Sequence, residues 1–247
     1  MKAIVAAFVA VTMFGGAAAA ADIKVIGSPG LREAYTDLLP GFEKASGHHV
    51  TTVWGGVNEV AERVAKGEVA DIVLLPRAQI DDLILQGKLL ANTRVDVAKS
   101  GVGVAVRAGA PKIDLASSEA LKKAMLASKS IAYSTGPSGV HMEDVIKSWG
   151  IADQMKGKTV ISPPNTPVGV MLARGDAEIG FQQVSELIRL PGIQYLGQLP
   201  ADINEVTVFS AAVHKNAAAS DAAKALVKYL GSPDAAPIIR KTGMDPG

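Results

Sequence analysis

The chain has 247 residues, no cysteine, and 25 basic against 24 acidic residues, a formal net charge of +1. Without cysteine there is no disulfide and no thiol chemistry, and the near-zero charge, with no basic stripe, lacks the footprint of a nucleic-acid binder. The length fits one large domain or two moderate ones, enough to bury a proper core.

The opening residues read as an export signal. Met1-Lys2 is positive, residues 3–14 are almost wholly apolar, and Gly15-Gly16 leads into alanines that end at Ala21. That order of charge, apolar run and small residues is a secretory signal peptide. The run is too short to anchor in a bilayer, which needs about 20 apolar residues. A buried N-terminal helix is the competing reading, but the polar residues of an amphipathic helix are missing. Residues 1–21 are therefore expected to be removed, leaving a mature chain in the periplasm.

Residues 23–26 are β-rich and end in Gly27-Ser28-Pro29-Gly30. Leu31, Ala34, Tyr35, Leu38, Leu39 and Phe42 then recur at helical spacing. The pattern returns with a strand at 50–54, a Gly55-Gly56-Val57-Asn58 loop and a helix at 59–66. A third round follows: a continuous apolar strand at 70–75, a turn at Pro76-Arg77-Ala78 and a helix at 79–86. Three β-loop-α units in a row predict a parallel sheet covered by helices, with the binding crevice beyond the carboxyl ends of its strands.

The second half repeats the style. Strands are expected at 102–106, 130–134, 159–161, 177–181 and 205–213. Helices are expected at 117–128, with Ser117 or Ser118 as N-cap, and at 140–149, 168–173, 220–230 and 232–241. The last two helices would return to the first lobe. That places lobe 1 at 22–101 plus 209–247, lobe 2 at 102–208, and extended, hinge-like crossings near 99–104 and 206–213.

Several loops offer donors to an anion. Ser28 precedes a helix, so its hydroxyl and the N–H groups after Pro29 either face the crevice or cap the helix. Gly55, Gly56 and Val57 offer N–H groups that a ligand could approach closely, or simply make a turn. Thr135-Gly136-Pro137-Ser138-Gly139 is small, hydroxyl-bearing and opens a helix, whose first turn carries His141. That imidazole either donates to a ligand or faces solvent. Arg77 stands at a strand end, where a guanidinium suits a carboxylate, although a solvated surface arginine is the alternative. Gln182 and Gln183 follow another strand end, and alternation should send one of them into the crevice. No nucleophile–base pair stands out, and His48-His49 reads as a surface turn rather than a metal site.

Four stretches carry a resemblance: Gly27-Ser28-Pro29-Gly30-Leu31-Arg32-Glu33-Ala34, Ala70-Asp71-Ile72-Val73, Gly136-Pro137-Ser138-Gly139 and Arg174-Gly175-Asp176-Ala177-Glu178-Ile179-Gly180. Over nearly the whole mature region the chain resembles the periplasmic molybdate-binding proteins of ABC transporters. The resemblance implies a type II clamshell: two α/β lobes, each a mainly parallel sheet flanked by helices, joined by a two-stranded hinge. It also implies a tetrahedral oxyanion held by hydroxyls and backbone N–H groups. Ser28 matches the family's first serine. Gly55-Gly56-Val57 stands where the family has Gly-Ser-Ser, Pro76 where it has a backbone donor, and Gln182 or Gln183 near its late tyrosine. With three donors altered and Arg77 added, a small di- or tricarboxylate fits better than molybdate.

The expected protein is thus an exported binding protein, monomeric, without cofactor or metal and not an enzyme, that hands a small anion to an ABC permease. An exported enzyme of the same fold is the alternative. A regulator's sensing domain is disfavoured by the export signal.

Overall fold

The computed structural model describes residues 20–163 and 166–247. The export segment read at residues 1–21 lies outside them except for Ala20 and Ala21. Three βα units follow one another: β1 (Asp22–Gly27) and α1 (Arg32–Ser46), β2 (His49–Trp54) and α2 (Val57–Ala65), β3 (Ile72–Pro76) and α3 (Arg77–Leu85). One turn of 3-10 helix, Pro29–Leu31, leads into α1. β1 pairs parallel with β2 and with β3. The first sheet is completed by β4 (Val95–Ser100), β10 (Thr207–Val213) and β11 (Asp245–Pro246), in the order β11-β4-β10-β3-β1-β2.

The second sheet runs β7 (Thr159–Ile161), β6 (Ile131–Tyr133), β8 (Ile179–Gln183), β5 (Val102–Arg107), β9 (Ile193–Gln198). Its helices are α4 (Ser118–Ala127), α5 (Pro137–Ser148), α6 (Ala152–Met155), α7 (Val168–Arg174) and α8 (Val184–Leu187). Helices α9 (Ser220–Leu230) and α10 (Ala236–Arg240) return to the first sheet, where Leu226, Leu230 and Ile239 pack with Ile23 and Leu38. Both sheets are mixed rather than mainly parallel. The βα units pair parallel, but β10 meets β3 and β4 antiparallel, and β5 meets β8 and β9 antiparallel. These are strands at the crossings, where the chain arrives from the opposite direction.

Both faces of each sheet are covered, which is why the strands read as apolar runs rather than alternations. In β3, Ile72 and Leu74 enter one core with α1 and α9, while Val73 and Leu75 enter another with α2 and α3. The second sheet divides likewise: Val102, Val104 and Phe181 face Leu121 and Met142, while Ala105 faces Val168 and Leu172.

The lobes join where β4 runs into β5 with only Gly101 between them. The return lies between β9 and β10, just ahead of the stretch expected for it. The crossings are tied together: the Val102 N–H donates to Asn204 Oδ1 at 3.1 Å, and Asn204 Nδ2 donates to Gln198 Oε1 at 2.8 Å. A Cβ on Gly101 would lie 2.2 Å from Gln198 Oε1, so a larger residue there would displace the Gln198 and Asn204 side chains that tie the crossings. The lobes also touch at α8, where Ser185 Oγ donates to the Gly30 carbonyl at 2.7 Å and Arg189 pairs with Asp37 at 2.8 Å.

Local differences follow from turn chemistry. Val57 and Arg77, read as loop and turn, are the first residues of α2 and α3, and Pro76 closes β3. Gln182 and Gln183 are the last two residues of β8 rather than residues after it. Ser117 caps α4 as read, accepting from the Ala120 N–H at 3.1 Å.

Candidate functional site

Between the lobes lies a chamber of about 120 Å3 that opens into a wider outer cleft of about 580 Å3; Val57, Thr135, Gly136 and Pro137 line both. The first lobe gives the chamber Pro29, Gly30, Arg32, Gly56, Val57 and Phe209. The second gives it Ser134, Pro137 and Ser138 at the start of α5, and Gln182, Gln183 and Glu186 at the end of β8 and in α8. With about 10–15 Å3 of such space per water, the chamber takes one guest of roughly ten heavy atoms.

Arg32 is the cation of the first wall. It sits in the first turn of α1, with its guanidinium carbon 5.1 Å from the centroid of the Trp54 ring, a cation–π geometry. Among the described residues its buried Nε has no hydrogen-bond partner. Trp54 is itself held edge-on by Tyr35 at 5.5 Å, so the arginine rests on a packed platform. Ser28, next to the lining Pro29, is also buried, and its Oγ is without a partner. It makes no capping bond to the helix, and its own N–H donates to the Leu74 carbonyl at 2.9 Å. A buried donor without a partner is rare and costly, so the Arg32 Nε on this wall marks a place where an acceptor is expected.

Glu186 is the acid of the second wall. Burial pushes its carboxyl up to about 7, and Arg32, the Gln182 side chain and the Gln183 backbone pull it partway back. Gln182 Nε2 donates to Glu186 Oε1 at 2.8 Å, while Gln182 Oε1 accepts from the Val168 N–H, the first of α7, at 2.9 Å. Gln183 turns to the crossings. Its oxygen accepts from Thr207 Oγ1 at 3.0 Å, and its nitrogen lies 3.2 Å from the Gly101 carbonyl, to which it donates. Both glutamines line the chamber, against the expectation that alternation sends only one there. They do so because β8 ends at the cleft and the chain turns straight into α8.

The outer cleft differs in kind. Arg77 lies there with a side chain 47% exposed, 3.3 Å from Asp96 and 3.9 Å from Asp81. The cation expected to grip the ligand is therefore outside the chamber and already paired. His141 also lines the cleft, with its ring engaged by the protein. Its Nε2 lies 2.6 Å from the Ile203 carbonyl and its Nδ1 2.7 Å from Glu205, both on the return crossing.

The remaining expectations divide. Pro29, Gly56, Val57, Pro137, Ser138, Gln182 and Gln183 line the chamber. Gly55 does not: its N–H donates to the Gly27 carbonyl at 3.0 Å. Nor does Gly139, which is glycine because a Cβ would lie 1.5 Å from the Ser134 oxygen. Arg32 and Glu186 escaped the sequence reading. Arg32 lies within the first of the stretches that carry the resemblance, four residues after Ser28. Glu186 follows Gln182 by four residues, but the short α8 gave no periodicity to place it.

With this geometry in place, the known relatives can be compared. The chain matches the model of the bacterial extracellular solute-binding proteins over residues 23–245. It is 33% identical over 229 residues to an aconitate isomerase from Pseudomonas sp, covering 91% of this chain and 87% of that one. It is 28% identical over 233 residues to the molybdate-binding protein ModA of Azotobacter vinelandii, covering 92% and 91%. A solved Azotobacter vinelandii periplasmic molybdate-binding protein superposes with a TM-score of 0.76 at 23% identity, covering 90% and 98%. The isomerase overturns the expectation that such a chain is not an enzyme. The missing nucleophile–base pair was too narrow a test, because many enzyme reactions use no nucleophilic side chain. Fold and sequence together identify the chain as a member of the bacterial extracellular solute-binding protein family.

Proposed function

We propose that the chamber binds a small unsaturated polycarboxylate of the aconitate type and moves its double bond by proton transfer. The observation that carries this reading is the pair facing the chamber: Arg32 with a buried, unpartnered Nε, and Glu186 with a carboxyl held near neutral. The guanidinium receives a substrate carboxylate. The ionised Glu186 removes a proton from a methylene next to both a carboxylate and the double bond. The electron pair of the broken C–H bond spreads over the allylic carbons and onto the carboxylate that Arg32 holds. Rotation and return of the proton to the other end of the allylic unit give the isomer. A base whose carboxyl titrates near the working pH is suited to both halves of the exchange. The likeness to an aconitate isomerase supports the same ligand class.

Capture of the same acid for a membrane permease in the periplasm is a second role, supported by the 28% likeness to a molybdate-binding protein. One experiment addresses both. Each geometric isomer of aconitate is incubated separately with the mature protein and followed by proton NMR, with molybdate and sulfate tested in parallel by thermal shift. The reading expects one equilibrium mixture from both directions and stabilisation by the tricarboxylate, near 2.7 kcal/mol at about a hundredfold excess over Kd. Unchanged isomers with stabilisation by molybdate alone would overturn it.

A further inference from the structure

We infer that Gln182 is a positioning residue for Glu186: a side-chain amide whose sense is fixed from behind by the first N–H of α7, so that it always offers its donor to the carboxyl. This rests on the acid–base role proposed for Glu186. Gln182 is 4% exposed on β8, and both ends of its amide are engaged. The Val168 N–H can only donate, so the group 2.9 Å away must be the amide oxygen. The nitrogen then necessarily points at Glu186 Oε1, 2.8 Å away. A flipped amide would leave that N–H facing a donor and would aim an acceptor at the carboxylate, so the orientation has one sense.

The chemistry of such a contact is directional. A donor aimed at one carboxylate oxygen favours the ionised form against the burial that disfavours it. It also occupies Oε1, so the second oxygen is the one left to take the substrate proton. Arg32 of α1 is the charged side chain facing Glu186 across the chamber, and it acts in the same direction from the other wall. The two differ in availability. Arg32 is engaged once a substrate carboxylate arrives, whereas the amide holds Glu186 in free and occupied protein alike.

The test reads Glu186 directly. Protein labelled with 13C at glutamate Cδ is titrated by NMR, with the Glu186 signal assigned by its loss in E186Q. In Q182M the Glu186 midpoint should rise by about one pH unit, the loss of one hydrogen bond to a charged group. The acidic limb of kcat/KM should rise with it, so that activity falls about tenfold more at pH 6 than at pH 9. A second measurement needs no variant beyond those used for assignment. In the wild-type protein the Gln182 side-chain N–H2 resonance should titrate with the Glu186 midpoint and lose that dependence in E186Q. If Q182M lowers activity equally at every pH, or the wild-type amide signal ignores the Glu186 titration, Gln182 is merely structural and the inference fails. Because both NMR readouts are independent of turnover, failure to isomerise aconitate would sink the proposed reaction while leaving this inference to stand or fall separately.

Discussion

The inner chamber and the outer cleft are adjacent, share four lining residues and both carry charge, yet they do opposite things with it. In the outer cleft the charges are paired: Arg77 with Asp96 and Asp81, and Asp81 also with Arg94 at 2.7 Å, while His141 lies 2.7 Å from Glu205. In the chamber, Arg32 keeps a buried nitrogen with no partner among the described residues, and Glu186 titrates far above an ordinary carboxyl. Pairing satisfies a charge and makes it part of the scaffold. A buried donor without a protein partner remains available to whatever acceptor the chamber holds, a ligand or water. The distinction between scaffold and site therefore lies in what each charge still lacks, not in which residues are charged.

The largest expected effect breaks this contrast at its acid. E186Q keeps the size of the side chain but removes the base. Turnover of the isomers should fall about a thousandfold, within the usual range for losing a general base, while binding of the tricarboxylate persists. Initial rates on both isomers and a calorimetric titration of the same sample decide it.

The next effect is in stability. The unfolded Glu186 carboxyl loses its proton near 4.5 and the folded one near 7, so between these values the folded state binds the extra proton. The contribution is fully present below the lower value and is lost as pH rises through about 7. Its size is at most about 3 kcal/mol. Urea unfolding of ligand-free protein at stepped pH should show that decline, and E186Q should flatten it.

The βα units, the closing Gly55 and Gly139 turns and most strand positions follow from periodicity and punctuation, which report local structure. β4 and β9 were missed because Asp96 and Lys99, or Gln194 and Gly197, interrupt their apolar pattern. Ser28, Ser138 and the glutamines were legible as loop tips and strand ends beside the cleft. Arg77 was legible by the same logic and does not reach the chamber, because its partner Asp96 comes from β4, the strand that went unread. Which arginine is paired depends on tertiary neighbours, and no local pattern carries that information. Arg32 and Glu186 meet only when α1 and α8 of opposite lobes are brought to one chamber.

A smaller effect tests the paired side of the contrast. H141A removes the bonds to Ile203 and Glu205, and should lower stability by about 1 kcal/mol through a looser return crossing. Turnover at saturating substrate should stay within about threefold. A loss comparable with that of E186Q would move the chemistry into the outer cleft.

The most direct measurement sets the two arginines side by side. Isothermal calorimetry of trans-aconitate with wild type, R32M and R77A separates an unsatisfied cation from a paired one. The account predicts that R32M weakens binding at least about thirtyfold, the effect of removing one partner of a buried charged contact, and that R77A changes it less than about threefold. Weak binding in R77A with full affinity in R32M would contradict it, and would return the ligand to the outer cleft.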